Sequence, residues 1–125
     1  MRIRRFPYLV AVPIPTRDRR HRRILKAECR AATEAILEAF GEWFGGATAM
    51  AWPCLGTWTM LDGSGVAVEK GQTVVVVMTT RPEYLLRRRA IENLVDGVAK
   101  DLRQEAMAVI AANASDGYLL FPDER

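Results

Sequence analysis

The segment TVVVVMT, residues 73–79, is the feature that most constrains how this chain folds. Successive side chains of a strand point to opposite faces, so the even-numbered residues from Val74 to Met78 share one face, and Val75 and Val77 share the other. A strand that is apolar on both faces must be covered on both. The pattern therefore predicts a central strand with helices on one side and further cover on the other.

The remaining periodicities predict the order strand, helix, strand, strand, helix, strand, followed by one more strand. We expect Thr16 or Asp18 to cap the first helix, and Gly41 or the pair Gly45-Gly46 to end it. The residues QEAMAVIAA are assigned to a strand, although 105–112 could also prolong the second helix. The predicted strands are Tyr8–Pro15, a strand region at Ala47–Leu61, a return strand at Val66–Thr80 with a bulge at Gly71, and a last strand at Tyr118–Phe121, with a turn at Asp62–Gly65. The first predicted helix has the apolar stripe Leu25, Cys29, Ala32, Ile36, Phe40 and Trp43. The second opens at Arg81-Pro82-Glu83 and has the stripe Leu85 or Leu86, Ala90, Leu94, Val98 and Leu102.

This order predicts an α+β fold, namely a ferredoxin-like split βαβ sandwich (βαββαβ) with an extra C-terminal hairpin strand. A chain of 125 residues supports one such domain, residues 1–125. Because two helices cover only one face of this sheet, the valine strand needs the C-terminal hairpin or a second protein on its other face. We expect a homo-oligomer, most simply a dimer.

Composition limits the possible settings and cofactors. Half of the residues are hydrophobic, yet no apolar run is long enough to span a bilayer, so we expect no membrane partner and a cytoplasmic location. Two cysteines and one histidine make a zinc site improbable. Phosphate-loop, nucleophile-elbow and zinc-protease motifs do not occur, so we expect neither a metal nor a cofactor.

The segment TRDRRHRR, Thr16 to Arg23, holds five arginines and the only histidine. Up to Arg30 the chain has ten basic residues against two acidic ones, although its net charge is only +3. If the segment begins a helix, its cations oppose the helix dipole and repel each other one turn apart, which favours an anion as partner. The predicted anion-binding residues are Arg19, Arg20, Arg22, Arg23, Lys26 and Arg30.

The charge pattern leaves the partner open. Arginine binds phosphate and carboxylate equally well, so a nucleic acid and an acidic protein surface both fit. A solvated helix face is the third interpretation. The predicted strands lack the aromatic ladder that RNA-recognition sheets use for stacking.

One carboxylate constellation could support catalysis. In the predicted sheet Glu69 and Glu105 approach the same end, near Trp58 and Gln104, and Trp52 could complete the pocket. A carboxylate beside an aromatic wall can act as an acid or a base. The alternative is that both are surface carboxylates paired with cations such as Arg103 or Lys70.

A set of short motifs spans Phe44 to Glu105 in a fixed order. The motifs are FGGAT, then GTW, then a glutamate before VVVV, then IENL and QEAM. This order resembles a family of small bacterial proteins of unknown function. The matching positions are Phe44, Gly45, Gly46, Thr48, Gly56, Trp58, Glu69, Gln104 and Glu105. The resemblance implies a compact α+β fold and no particular activity.

Together these features predict a small, non-enzymatic cytoplasmic binding protein. It would self-associate or dock through its sheet face and offer an arginine-rich helix start to an anionic partner. The alternative is a small ferredoxin-like enzyme that uses a carboxylate as acid or base in a tryptophan-lined pocket.

Overall fold

The computed structural model describes the backbone of residues 1–51, 55–59 and 66–123, and the side chains of 1–51 and 71–123. The described elements are β1 (Arg2–Arg5), β2 (Tyr8–Ile14), α1 (Lys26–Phe44), β3 (Thr48–Ala51), β4 (Leu55–Thr59), β5 (Val66–Lys70), β6 (Thr73–Thr79), α2 (Arg81–Asp101), β7 (Ile110–Asn113) and β8 (Tyr118–Phe121).

The central sheet is antiparallel, with the strand order β3-β6-β2-β7. With α1 between β2 and β3, and α2 between β6 and β7, this is the ferredoxin-like arrangement, so the predicted fold class is confirmed. Strands β4 and β5 pair as a separate two-stranded ribbon. Gly71, which has a φ of 61°, lies between β5 and β6; glycine adopts such a backbone angle without a steric cost.

The extra C-terminal strand is present, but it pairs with β1 and not with β7. Residues between β7 and β8 form a turn in which the Gly117 N–H donates to the Ala114 carbonyl at 2.8 Å, and the Gly117 carbonyl accepts from Phe6 at 2.9 Å. A Cβ on Gly117 would lie 2.7 Å from the Phe6 carbonyl oxygen, so the approach requires glycine. The ribbon of β1 and β8 therefore continues the β2–β7 pair.

Both helices pack on one face of the sheet. Val75 and Val77 are buried there against Ile36 and Phe40 of α1 and Ile91 of α2. The alternation predicted for the valine strand is confirmed. The predicted stripe of α2 is partly wrong, because Leu85 and Leu86 are 47% and 77% exposed. Leu25, the first residue of the stripe predicted for α1, lies just before the helix and is 67% exposed.

Local hydrogen bonds define the end of α1 and the start of α2. α1 ends at Gly45, whose φ of 85° lets its N–H donate to the Gly41 carbonyl at 2.9 Å, as predicted. α2 starts with a capping bond from the Glu83 N–H to the Thr80 hydroxyl, and Pro82 lies in its first turn. The predicted start of α1 is wrong: the helix begins at Lys26, and Leu25 provides no capping side chain.

The sheet face opposite the helices is apolar. Antiparallel partners share a face, and Val76 pairs with Ala11 on one side and Thr48 on the other, while Ala11 pairs with Ile110. The apolar residues of this face are Leu9, Ala11, Pro13, Met50, Val74, Val76, Met78 and Ile110. Within this face Ala11 and Val74 are buried, whereas Met50 and Ile110 are 39% and 49% exposed.

Candidate anion-binding site

The arginine-rich segment folds as a closed loop rather than as the start of α1. Arg17 and Arg23 form an antiparallel bridge, and the Ile24 N–H donates to the Thr16 carbonyl at 2.9 Å. His21 lies at the tip with a φ of 63°, which no α-helix contains. The expectation that this segment begins the first helix is therefore wrong.

A buried carboxylate explains why the segment does not become helical. The Asp18 Oδ1 accepts the backbone N–H groups of Arg20 at 2.8 Å and Arg22 at 3.0 Å, and Asp18 is only 4% exposed. A short acidic side chain that bonds its own backbone in this way competes with helix formation. Arg22 adds a charged bond from its Nε to Asp18 Oδ2 at 3.2 Å. Burial alone would raise the pKa of Asp18, but the bonds from Arg22 and Arg20 and the charge of Arg22 outweigh it and lower this pKa.

The end of α2 anchors the loop from a distant part of the chain. The Arg103 guanidinium holds Glu28 with two bonds of 2.9 and 3.3 Å, and its Nε lies 3.6 Å from Asp18 Oδ2. These bonds, together with the charge of Arg103, lower the pKa of Glu28 despite partial burial. The Arg103 carbonyl also accepts the N–H of Arg19 at 3.0 Å.

Gln104 belongs to the same anchor. Its Nε2 donates to the Arg17 carbonyl at 2.7 Å and to the Leu102 carbonyl at 3.0 Å. Sequence reasoning placed Gln104 in a catalytic pocket, whereas it ties the arginine loop to the end of α2. No spacing rule predicts this contact, since the two residues are 87 positions apart.

Beside the loop lies an open cavity of about 1100 Å³ between α1, the loop and the start of β6. Ile14 and Ile24, both almost fully buried, form its apolar wall together with the half-buried Leu37. Cys29 lies at the same wall and donates its thiol to the Pro15 carbonyl at 3.5 Å. The lining residues are Ile14, Thr16, Arg17, His21, Arg23, Ile24, Lys26, Cys29, Arg30, Thr33, Glu34, Leu37, Gly71 and Thr73.

Three of the six predicted anion-binding residues line this cavity: Arg23, Lys26 and Arg30. None of these three has an ion pair within 4.0 Å in the part of the chain whose side chains are described. The other three do not line it. Arg19 and Arg20 are exposed on the outside of the loop, and Arg22 is paired with Asp18.

Arg17 was missed by sequence reasoning. It is not among the predicted anion-binding residues, but in the closed loop it stands opposite Arg23 and lines the cavity. Its Nη1 donates to the His21 carbonyl at 3.1 Å, which holds it at the rim. A turn signal was available in Asp18, two residues before Arg20, but it was interpreted as a helix cap.

Of the predicted catalytic and pocket residues, only Gln104 and Glu105 have described side chains. Glu105 is half-buried just after α2 and does not line the cavity. Trp52 lies outside the described residues, and Trp58 and Glu69 are described by backbone alone, within β4 and β5. The pairing of Glu69 with Glu105 therefore stays a prediction.

Metal binding and membrane insertion find no support in the described residues. Their histidine, cysteine and acidic side chains form no cluster of three suited to a metal ion. Within the same ranges, neither helix is long and apolar enough to cross a membrane.

Comparison with solved structures supports the fold. A phage SAM lyase in complex with S-methyl-5'-thioadenosine is similar with a TM-score of 0.64 and 10% identity, over 95% of this chain and 92% of that one. The divalent cation tolerance protein CutA1 from Thermus thermophilus gives a TM-score of 0.49 and 14% identity, over 88% and 85% of the two chains. CutA from Synechococcus elongatus gives 0.48 and 9%, over 94% and 85%. At such identities the likeness concerns the fold alone.

No family model matches the chain, and no curated protein matches it significantly. The resemblance to a bacterial family of unknown function therefore stays a prediction. What can be stated of the chain is its ferredoxin-like α+β fold, with a basic cavity between the arginine loop and α1.

Proposed function

We propose that this is a non-enzymatic binding protein that holds an anionic partner, a nucleic acid backbone, at the cavity beside the arginine loop. The observation that carries the proposal is the convergence of Arg17, Arg23, Lys26 and Arg30 on one cavity, with Glu34 as the single acidic residue of its described lining. Arginine binds phosphate through two parallel N–H donors and keeps its charge at every physiological pH.

Two physical arguments support this interpretation over a solvated face. The loop is held by the buried Asp18, so its arginines are presented on a fixed backbone, and less backbone freedom is lost on binding. Arg23, Lys26 and Arg30 also repel each other, and Glu34, the carboxylate that shares their cavity, makes no described ion pair with any of them within 4.0 Å. An anion in the cavity would relieve that repulsion.

The experiment compares two variants that each lose three positive charges. In the first, Arg23, Lys26 and Arg30 are replaced by Gln; in the control, Arg87, Arg88 and Arg89, exposed on α2, are replaced by Gln. We expect the cavity variant to elute from heparin at lower salt and to show a flatter salt dependence of nucleic acid binding than the control. An acidic protein surface becomes the better partner if heparin retains the wild type and no polynucleotide binds. Equal behaviour of both variants would show that only net charge matters.

We also propose that the protein forms a two-fold dimer through the sheet face opposite the helices. On this face Met50 and Ile110 are 39% and 49% exposed, and Val76 and Met78 are half-buried. Burying a large aliphatic side chain stabilises an assembly by roughly 1.5–3 kcal/mol. A second copy presents the same apolar surface, which makes the contact self-complementary.

Light scattering after gel filtration, over a range of concentrations, tests the dimer. We expect a dimer mass for the wild type, a monomer for Ile110→Glu and a dimer for the control Leu86→Glu, which alters an exposed leucine of α2. A monomeric wild type at every concentration would refute self-association and leave anion binding untouched.

A second candidate is a small enzyme that uses Glu105 and Glu69 as acid and base. It is favoured by the SAM lyase of similar fold, which binds S-methyl-5'-thioadenosine. Incubation with S-adenosylmethionine and detection of S-methyl-5'-thioadenosine tests it directly. Product that is lost in Glu105→Gln and Glu69→Gln, but kept in the arginine variants, would replace the binding proposal with the enzymatic one.

A further inference from the structure

We infer that the cavity takes up one unstacked nucleotide of a single-stranded nucleic acid, with its phosphate at the loop arginines and its base against the apolar wall. This inference rests on the proposed binding of a nucleic acid and adds which form of it is bound. Three features of the cavity carry it: its size, the order of charges along α1, and the position of its apolar wall.

The cavity is larger and more apolar than a phosphate requires. Its volume of about 1100 Å³ lies slightly above the range of roughly 300–1,000 Å³ that is usual for small-molecule sites, and it is open to solvent. Ile14 and Ile24 are 1% and 3% exposed, so the wall is a fixed part of the core rather than a set of mobile surface side chains. Because these two side chains are already buried, the apolar surface that a base would remove from water belongs to the half-buried Leu37 and to the aliphatic stems of Lys26 and Arg30 beside them, and a phosphate gains nothing from that surface.

The charges along α1 are ordered. Lys26, Arg30 and Glu34 lie on successive turns of one helix face, followed by Leu37. From Lys26 to Glu34 the helix rises about 12 Å, at roughly 1.5 Å per residue. The cations are therefore at the loop end, and the carboxylate is at the far end beside apolar surface.

Glu34 repels a ligand that is anionic throughout. It is exposed and makes no ion pair within 4.0 Å with a described side chain. A carboxylate is a pure acceptor, so it favours a ligand with N–H donors at this end. Adenine, cytosine and guanine carry amino groups that donate hydrogen bonds, and glutamate accepts from such groups in known complexes.

A duplex cannot use this arrangement without disruption. Its bases are paired and stacked, and bringing one out costs a few kcal/mol. A single strand has already lost most of that constraint, and binding proteins for single strands combine a positive groove with contacts to exposed bases. The described lining offers the ring of His21 and the guanidinium groups of Arg23 and Arg30 as stacking surfaces, so the base would lie between them and the half-buried Leu37.

The test measures fluorescence anisotropy of a labelled 12-nucleotide single strand and of the matching duplex. We expect the wild type to bind the single strand about tenfold more tightly, which corresponds to one base contact. Thr33→Phe fills the cavity without changing charge, and Ala35→Phe adds the same side chain at an exposed position of α1 that does not line it. The first should reduce single-strand affinity to that of the duplex, and the second should leave it unchanged.

Occupancy of the cavity is measured separately by alkylation of Cys29, in a Cys54→Ser variant that leaves Cys29 as the single thiol of the sequence. Alkylation of this lining thiol should slow when the single strand is bound and not when the duplex is bound. Base insertion would be overturned if the wild type bound the single strand and the duplex with equal affinity, or if Thr33→Phe left the single-strand affinity unchanged. The proposed function would still stand in either case, provided that heparin retains the wild type. A wild type that neither heparin nor a polynucleotide retains would instead refute the proposed function itself. If free nucleoside monophosphates bound as tightly as the single strand and displaced it, a single-stranded polymer would be ruled out as the specific ligand.

Discussion

Two arginine clusters of this protein differ in their setting more than in their charge. The loop from Arg17 to Arg23 surrounds a buried carboxylate and borders a cavity, whereas Arg87 to Arg89 lie on an exposed part of α2. In the second cluster Arg88 pairs with Glu92 one turn away at 3.2 Å, as is common on solvated helices.

The comparison shows that backbone geometry, rather than charge density, separates a candidate site from a solvated face. In the loop, Asp18 accepts the N–H groups of Arg20 and Arg22. Arg103 also contacts Asp18, and Gln104 donates to the Arg17 carbonyl, so both hold the loop against the end of α2. On α2 the arginines point away from the core along a regular helix. The same residue type is therefore carried on a fixed loop beside a cavity in one place and on a solvated helix face in the other.

The largest effect should come from the core that supports both clusters. Ile36 is fully buried where α1 meets the sheet. Ile36→Asp places an unpaired charge there at a cost of several kcal/mol, so we expect the domain to unfold. Circular dichroism and a thermal melt check this. A soluble variant that melts cooperatively would show that α1 does not depend on this contact.

The next effect should be specific to the loop. Asp18→Asn removes the charge of the buried acceptor and should destabilise the fold by about 1.5–3 kcal/mol, the usual value for a hydrogen bond to a charged group. Since the folded-state pKa of Asp18 is lowered, its stabilisation is present above the ordinary value of 3.8 and is lost as pH falls through the folded-state pKa. We therefore expect the wild type, but not Asp18→Asn, to lose this contribution in acid.

Equilibrium denaturation at neutral and acidic pH measures that difference. Glu92→Gln on α2 is the control, because it also removes one acidic charge next to an arginine. The importance of Asp18 would be refuted if the two variants lost equal stability at neutral pH.

The order of elements and the inner face of the valine strand could be predicted from sequence, because both follow from local periodicity. Val75 and Val77 face the helices as the alternation requires. The loop could not be predicted. Asp18 before a run of arginines fits a helix cap as well as a closed turn, and the distant contacts from Arg103 and Gln104, which help to hold the turn, have no signal in the local sequence. The cavity was missed for the same reason, since α1 starts at Lys26 and not inside the arginine segment.

A smaller effect is expected at the anchor of the loop. Glu28→Gln weakens the paired bonds from Arg103, which also contacts Asp18. We expect a decrease in melting temperature smaller than that of Asp18→Asn, and one that shrinks at high salt because the pair is partly exposed. Melting curves at low and high salt check this. A decrease that is independent of salt would assign Glu28 a packing role instead.

The smallest effect should come from the solvated cluster. Arg88 and Glu92 have side chains that are 61% and 52% exposed, and such a pair on a helix contributes only about 0.3–0.5 kcal/mol. Arg88→Gln should therefore leave the free energy of unfolding almost unchanged, and it should not alter the binding of a single-stranded oligonucleotide beyond the effect of one charge. Denaturation and anisotropy measured beside Arg23→Gln provide the comparison, because Arg23 borders the cavity while Arg88 faces solvent. If Arg88→Gln weakened binding as much as Arg23→Gln does, the two clusters would be equivalent to the ligand. The cavity would then lose its special role.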